Sequence, residues 1–293
     1  MRKLTKTLLT AAMLSAASLA NASPLFIDNG VNGDFVDSDT QTDVFSSFVF
    51  NGFNPTSAYL DLEGDGIQNG TLVFDSGQFG IGNLSPLLFP ESLEGFQSSW
   101  TLQVEYELFG FAGIAEDFNN NGFFDAGDTL AAQFVDGYFQ MNYVDVNGTQ
   151  PFLSIDVTGS AFNINSGVNL AIFGQPVAAS NFLNTEESFF GSTGFGDAIA
   201  NLDPVNIGAL ATLLIKDATN SPTLDANYTS STFQDNVLAS LGLSTLPSSA
   251  QWLTRTTTLD TGSLTLEVSA PSTLALFGLS LLGLGASRRF SKK

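Results

Sequence analysis

Apolar and polar residues alternate along Ser98–Phe111, and this pattern limits the possible fold more than any other feature of the chain. Two sets alternate: the apolar residues Leu102, Val104, Tyr106 and Leu108, and the polar residues Gln103, Glu105 and Glu107. Successive side chains of a β-strand point to opposite faces of the sheet. The segment is therefore predicted to be a strand with one buried face and one solvated face.

Other segments show the same preference for short strands separated by turns. Strands are predicted at Val44–Phe50, Ala58–Leu62 and Thr71–Phe74, and hairpins turn about Asn147-Gly148 and near Asp260-Thr261-Gly262. The stretch Ile207–Ile215 fits a strand or a helix, and a short helix is expected from Thr232 to Leu241, ended by Gly242. Even strand spacing predicts an all-β fold, a β-sandwich or jelly-roll-like single domain with a short helix and an irregular insert or edge layer at Ser180–Ala250.

The N-terminus has the three parts of a secretory signal peptide. Arg2, Lys3 and Lys6 precede an apolar run from Leu8 to Leu19, and Ala20-Asn21-Ala22 offers a cleavage site. Residues 1–22 are therefore expected to be removed on export. The sequence thus predicts an exported protein.

The C-terminus combines a proline, an uncharged segment and a basic cluster. Thr273–Ala286 carries no charge and is short for a spanning helix, which needs ~20 apolar residues. The four cations that follow would stay cytoplasmic, with the acidic domain outside.

This tail resembles the PEP-CTERM sorting signal of Gram-negative bacteria. The matching residues are Pro271-Ser272-Thr273-Leu274-Ala275-Leu276, Gly283-Leu284-Gly285 and Arg288-Arg289, with Ser269-Ala270-Pro271 in place of the Pro-Glu-Pro triplet. The resemblance implies a hydrophobic sorting helix within 269–293, transient contact with an exosortase at the inner membrane, and release to the cell surface or exopolysaccharide matrix.

The region between the two terminal signals, 23–268, is expected to be the extracellular β-rich domain, and it is strongly acidic. All 29 Asp and Glu lie between the signals with only Lys216 and Arg255 as cations, a formal net charge of −27. Such a polyanion repels nucleic acid and anionic lipid headgroups, and it attracts divalent cations. Metal binding is the first chemical expectation.

The chain has no cysteine and no histidine. Disulfides, Ser-His-Asp and Cys-His centres, and the usual zinc, copper and haem ligands are therefore excluded. Oxygen ligands remain in quantity, and they favour calcium.

The segment EDFNNNGFFDAGDTL carries the most specific internal motif. Its oxygen-bearing residues occupy positions 1, 3, 5, 7, 9 and 12 of an EF-hand-type loop: Asp117, Asn119, Asn121, Phe123 through its carbonyl, Asp125 and Asp128. Gly122 lies at position 6, where the loop reverses. The pattern resembles the calcium loop of dockerin modules, whereas the alternative is an Asn-Gly-rich turn with solvated carboxylates. A calcium ion held here would be a structural staple between strands.

Two further acidic segments are weaker candidates. LDLEGDGIQNG contains Asp61, Glu63, Asp65 and Gly66 but has Leu72 at position 12, so an exposed acidic turn is expected. The segment IDNGVNGDFVDSDTQTD is expected to be a solvated loop; its acids are Asp28, Asp34, Asp37, Asp39 and Asp43.

Three classes of function remain open. A structural or adhesive matrix protein, acting in biofilm cohesion or flocculation, is favoured by the sorting tail and is not an enzyme. A calcium-dependent carbohydrate-binding module would use Trp100, Trp252 and a few Tyr as a sugar platform, with exopolysaccharide as partner. A glycoside hydrolase would need a carboxylate pair, for which Glu105 and Glu107 have a compatible spacing.

Overall fold

The computed structural model describes residues 25–31, 40–53, 55–85, 93–125, 128–163, 169–179, 190–194, 197–199, 210–218, 223–256 and 258–267. Within these ranges the chain is all-β with one helix. The first eight strands are β1 (Leu25–Ile27), β2 (Ser47–Phe53), β3 (Thr56–Asp61), β4 (Leu72–Ile81), β5 (Asn83–Ser85), β6 (Thr101–Glu116), β7 (Thr129–Asp145) and β8 (Gly148–Asn163). The remaining elements are β9 (Asn169–Ala179), β10 (Phe190–Gly194), β11 (Asp197–Ile199), β12 (Leu210–Ala218), β13 (Thr223–Leu224), α1 (Thr232–Ser240), β14 (Gln251–Thr256) and β15 (Thr258–Glu267).

In the described ranges twelve strands form one antiparallel sheet, in the order β13-β14-β3-β4-β6-β7-β8-β9-β12-β15-β2-β5. A smaller sheet has the order β1-β10-β11. Strands β2 and β4 are far apart in the large sheet, yet the rings of Phe50 and Phe79 pack with centroids 4.3 Å apart. The sheet therefore curls so that its inner face meets itself.

The main hydrophobic core lies on this inner face, and the alternation of β6 explains which residues enter it. Leu102, Val104, Tyr106 and Leu108 are all buried in the main core, as the sequence predicts. The partner strand β7 contributes Phe139, Met141 and Tyr143 from the matching positions.

A second, smaller core lies on the outer face beneath α1. Leu60, Phe74 and Phe109 pack there against Val237 and Leu238 of the helix. The helix begins where the sequence predicts, because Ser231 and Gln234 form a capping box. It ends at Ser240, with Leu241 as the C-cap and Gly242 next in the left-handed conformation at φ +79°.

Several sequence-based expectations need correction. The turn after β7 is centred on Val146-Asn147, one residue earlier than expected, because Asp145 pairs with Gly148. The hairpin predicted at Asp260–Gly262 is wrong: β15 continues through those residues, since β2 and β12 pair along both of its edges.

The region Ser180–Ala250 is not simply an edge layer. Of the ambiguous segment Ile207–Ile215, the described part from Leu210 onward belongs to β12, which is flanked in the sheet by β9 and β15. Residues 207–209 lie outside the described residues.

Candidate functional site

The loop between β6 and β7 coils around the carboxylate of Asp117. Its two oxygens accept hydrogen bonds from the backbone amides of Asn121 at 3.3 Å and Gly122 at 2.9 Å. Gly122 lies at φ +82°, a left-handed conformation that glycine adopts without the steric cost of a side chain. Glycine is therefore needed where the motif places it.

The two asparagines of the loop turn their side-chain oxygens back onto the backbone. Asn119 Oδ1 accepts from the amide of Asn121 at 3.0 Å, and Asn121 Oδ1 accepts from the amide of Phe123 at 2.7 Å. Their Nδ2 groups both donate to Asp125 Oδ2, at 2.7 Å and 2.9 Å. Positions 1, 3, 5 and 9 of the motif are therefore directed into one small loop.

Asp128 closes the loop from its other end. Its Oδ1 accepts from the amide of Phe118 at 2.9 Å, and its Oδ2 accepts from the amide of Asp125 at 3.0 Å. The hydrogen bond from the Phe118 amide, and next that from the Asp125 amide, lower the pKa of Asp128 below its ordinary value. The carboxylate therefore stays ionised at neutral pH and is available to a cation.

The expected ligands are brought into one loop, but their carboxylates do not converge as a set of three. Among the described residues no three acidic side chains come close enough to hold a metal ion between them. The Nδ2 groups of Asn119 and Asn121 both donate hydrogen bonds to Oδ2 of Asp125. If Asp125 Oδ2 binds a cation, the ion would replace these two hydrogen-bond donors as its partner.

A bridge links this loop to the turn between β3 and β4. Gln68 and Phe123 form an isolated antiparallel bridge, and the amide of Phe124 donates to the carbonyl of Ile67 at 2.8 Å. The turn at Asp61 and the loop at Asp117 therefore lie side by side at one end of the sheet.

Asp61 is a structural anchor of that neighbouring turn. Its carboxylate accepts from the amides of Glu63, Gly64 and Gly66 at 3.1, 2.7 and 2.7 Å, and from Gln251 Nε2 at 2.9 Å. The expectation of an exposed acidic turn holds for Glu63 and Asp65 but is wrong for Asp61, which is only 3% exposed. Desolvation acts to raise the pKa of Asp61, but the hydrogen bonds outweigh it and lower that pKa.

The N-terminal acidic segment is described only in part. Asp28 is 4% exposed, and its Oδ1 accepts from the amide of Gly30 and the hydroxyl of Thr40. The expectation of a solvated loop is therefore wrong at Asp28, because the bridge to Gln41 holds it in the fold. Asp34, Asp37 and Asp39 lie outside the described residues.

The candidate sugar-binding and catalytic residues lie on different faces of the sheet and do not form one site. Trp100 is 2% exposed, stacks on Tyr143 in the core and donates its indole N–H to the carbonyl of Glu94, so it is not a sugar platform. Trp252 is partly buried between Phe74 and Tyr228. Glu105 and Glu107 share the outer face, where Glu105 accepts a hydrogen bond from Gln78 at 2.9 Å.

A largely buried polar cluster on the inner face, centred on the partly buried Asp75, was not foreseen from the sequence. Ser57 and Tyr106 both donate hydroxyl hydrogen bonds to Asp75, and Arg255 lies over the ring of Tyr59 at 5.8 Å. Desolvation raises the pKa of Asp75 above its ordinary value, although both hydrogen bonds and the charge of Arg255 act against the rise. Pairing of Arg255 with Ser57 and of Ser57 with Asp75 creates the cluster. Such pairings are invisible to local patterns.

The two predicted terminal signals, including Ser269, Ala270, Pro271, Arg288 and Arg289, lie outside the described residues. Within the ranges that the structure covers, no helix is long and apolar enough to cross a membrane. Comparison with protein-family models, with curated proteins and with solved structures found no match.

Proposed function

We propose that this chain is an exported protein of a Gram-negative cell surface or exopolysaccharide matrix, with a structural or adhesive role. The terminal signals carry this proposal: a signal peptide over 1–22, and a tail over 269–293 that resembles an exosortase substrate. Between them lies an acidic domain without cysteine or histidine, which is compatible with a role outside the cell that needs no catalytic centre. The curled sheet with one helix supports a β-sandwich or jelly-roll arrangement of this domain.

Calcium binding by the loop Asp117–Asp128 is the second part of the proposal. Asp117, Asn119, Asn121, Asp125 and Asp128 are drawn into one turn by hydrogen bonds, and the carbonyl of Phe123 would add a backbone oxygen. Calcium takes six to eight oxygen ligands in a flexible geometry. Three carboxylates around one ion would also relieve some of the repulsion within a polyanion.

The position of the loop explains what the ion would stabilise. The loop joins β6 and β7, the neighbouring strands Thr101–Glu116 and Thr129–Asp145, and it bridges to the β3–β4 turn through Gln68 and Phe123. An ion held there would fasten one end of the large sheet. It would act as a structural staple rather than as a sensor.

The proposal is tested by the mass and location of the exported protein. We expect a mature species that begins at Ser23, lacks Arg288–Lys293, and is found in surface or matrix fractions. A species that retains Lys293 would contradict exosortase processing. A protein confined to the cytoplasm would contradict the whole proposal.

A calcium-dependent carbohydrate-binding module is the second candidate function. The exposed ring of Tyr138 beside Glu105 and Glu107 on the outer face favours it. A glycoside hydrolase is less favoured, because Glu105 is solvent-exposed and already accepts a hydrogen bond from Gln78. Catalytic acids of that class are tuned by a less solvated setting.

A further inference from the structure

The outer side of strands β4, β6, β7 and β8 forms an open polar surface beside α1, called here the Tyr138 face. Since Val104, Tyr106 and Leu108 enter the core, Glu105 and Glu107 must point outward. The ladder aligns Gln78, Glu105, Gln140 and Ser154 in one row, and Glu107, Tyr138 and Asp156 in the next.

Hydrogen bonds hold the first row in fixed orientations. Gln78 Nε2 donates to Glu105 Oε1 at 2.9 Å, and Ser154 Oγ donates to Gln140 Oε1 at 2.6 Å. Gln140 Nε2 is fixed by the carbonyl of Leu153 at 3.0 Å. Because these groups are already ordered, a ligand that meets them loses little side-chain entropy on binding.

Tyr138 is the exposed aromatic residue in the second row. Tyr138 is 37% exposed, and its ring packs edge to face against the ring of Phe233 in α1, with centroids 5.9 Å apart. Glu107 and Asp156 flank it on the adjacent strands, which lie ~4.8 Å away in a sheet. Desolvation, and then the negative charges of Glu107 and Glu105, raise the pKa of Tyr138 above its ordinary value.

The negative charge of this surface determines which class of partner it attracts. Arg255 is 8% exposed on the inner face, so it does not neutralise the Tyr138 face. Lys216 belongs to β12, which is not one of the four strands of that face. The chain between the signals carries a formal net charge of −27. Anionic polymers and a second copy of this chain are therefore repelled, whereas a cationic partner is attracted.

We propose that the Tyr138 face binds a polysaccharide that carries free amino groups. Sugar rings would pack on Tyr138, ammonium groups would lie against Glu105 and Glu107, and the fixed amides of Gln78 and Gln140 would meet hydroxyl groups. An aromatic ring beside carboxylates is a favourable site for an ammonium group. This inference rests on the proposed matrix function and names the chemical class of its partner.

Binding is tested with the protein as exported by its cell and soluble, partly deacetylated chitosan as the probe. The comparison probes are fully acetylated chitin oligosaccharides, dextran and polylysine. We expect binding to the deacetylated polymer that weakens with salt, and weaker binding of the other three. The double variant Glu107→Gln/Tyr138→Ala should bind about tenfold more weakly or worse, because it loses both a charge and the ring.

The matched control is Glu63→Gln/Asp65→Asn, which removes two exposed acids from the β3–β4 turn. It should bind within about twofold of the parent protein and keep the parent melting temperature. Glu107→Gln/Tyr138→Ala loses the contact with Phe233, so it should melt a few degrees lower but still unfold in one cooperative transition.

Three results would overturn the inference. They are equal losses in both double variants, equal binding of the acetylated polymer, and equal binding of polylysine through the same residues. Failure of the proposed function is recognised separately, because fractionation locates the protein without any glycan. An exported, calcium-stabilised protein that ignores chitosan would overturn the glycan inference alone.

Discussion

Replacing Asp61 by alanine should destabilise the domain strongly, although Asp61 belongs to a turn between strands. The substitution removes one carboxylate that accepts four hydrogen bonds, from Glu63, Gly64, Gly66 and Gln251. A hydrogen bond to a charged group contributes about 1.5–3 kcal/mol. The exposed amides of Glu63 and Gly64 can bind water in the variant, whereas the donors of Gly66 and Gln251 are partly shielded.

Counting only these two shielded donors gives a loss of about 3–6 kcal/mol in the free energy of unfolding, a large part of a typical ~5–15 kcal/mol. Urea unfolding followed by tryptophan fluorescence measures it. Asp65→Ala is the control, because Asp65 is exposed in the same turn, and it should change stability by at most about 0.5 kcal/mol. A loss below about 1 kcal/mol for Asp61→Ala would refute the anchoring role.

The pH dependence has a definite sign. The pKa of Asp61 is lowered in the folded protein, so its contribution is present above the ordinary aspartate pKa and is lost as pH falls through the folded value. The stability difference between the parent and Asp61→Ala should therefore shrink on acidification. A difference that stays constant through the acid range would contradict this assignment.

Three further perturbations test the packing and the inner-face cluster. Leu238→Ala, under α1, should cost about 2–4 kcal/mol in urea unfolding, whereas Leu241→Ala at a 47% exposed site should cost at most about 0.5 kcal/mol. Gly110→Ala should lower the melting temperature sharply, because a Cβ there would lie 2.0 Å from a backbone carbonyl oxygen of β7. Gly80→Ala is the control and should be tolerated, because the nearest atom to its Cβ would be 3.9 Å away. Similar losses from both substitutions would contradict the close approach of the two strands at Gly110. The pKa of Asp75 is raised in the folded protein, so the parent should lose stability as pH rises from the ordinary aspartate pKa through the folded value. Asp75→Asn should lack this loss when unfolding is measured as a function of pH. Parallel stability profiles of the two proteins would contradict the assignment.

Local patterns predicted those parts of the fold that depend on neighbours in sequence. Alternation along β6 marked its buried and outward residues, and the Ser231–Gln234 capping box lies at the predicted helix start. The motif Asp117–Asp128 identified residues that the structure does bring into one loop.

Long-range pairing accounts for what the sequence did not reveal. The hairpin predicted at Asp260–Gly262 failed because β15 pairs with β2 and β12, far away in the chain. Asp61 looked like an exposed acid, but Gln251 reaches it across 190 residues of sequence. The pair Ser57–Asp75 is likewise created by strand register, for which no local pattern exists.

Calcium titration of the melting temperature tests the central claim most directly. A loop with three carboxylates, closed by the short Asp128 in place of glutamate, should bind with a dissociation constant on the order of 10⁻⁴ to 10⁻³ M. Calcium at ten times that constant should stabilise the fold by roughly 1.4 kcal/mol, and magnesium should stabilise it less. Asp117→Ala should abolish the calcium-dependent rise, whereas Asp61→Ala should retain it from a lower starting temperature. An equal loss of the rise in both variants, or a parent protein indifferent to calcium and chelator, would contradict a calcium site at Asp117–Asp128.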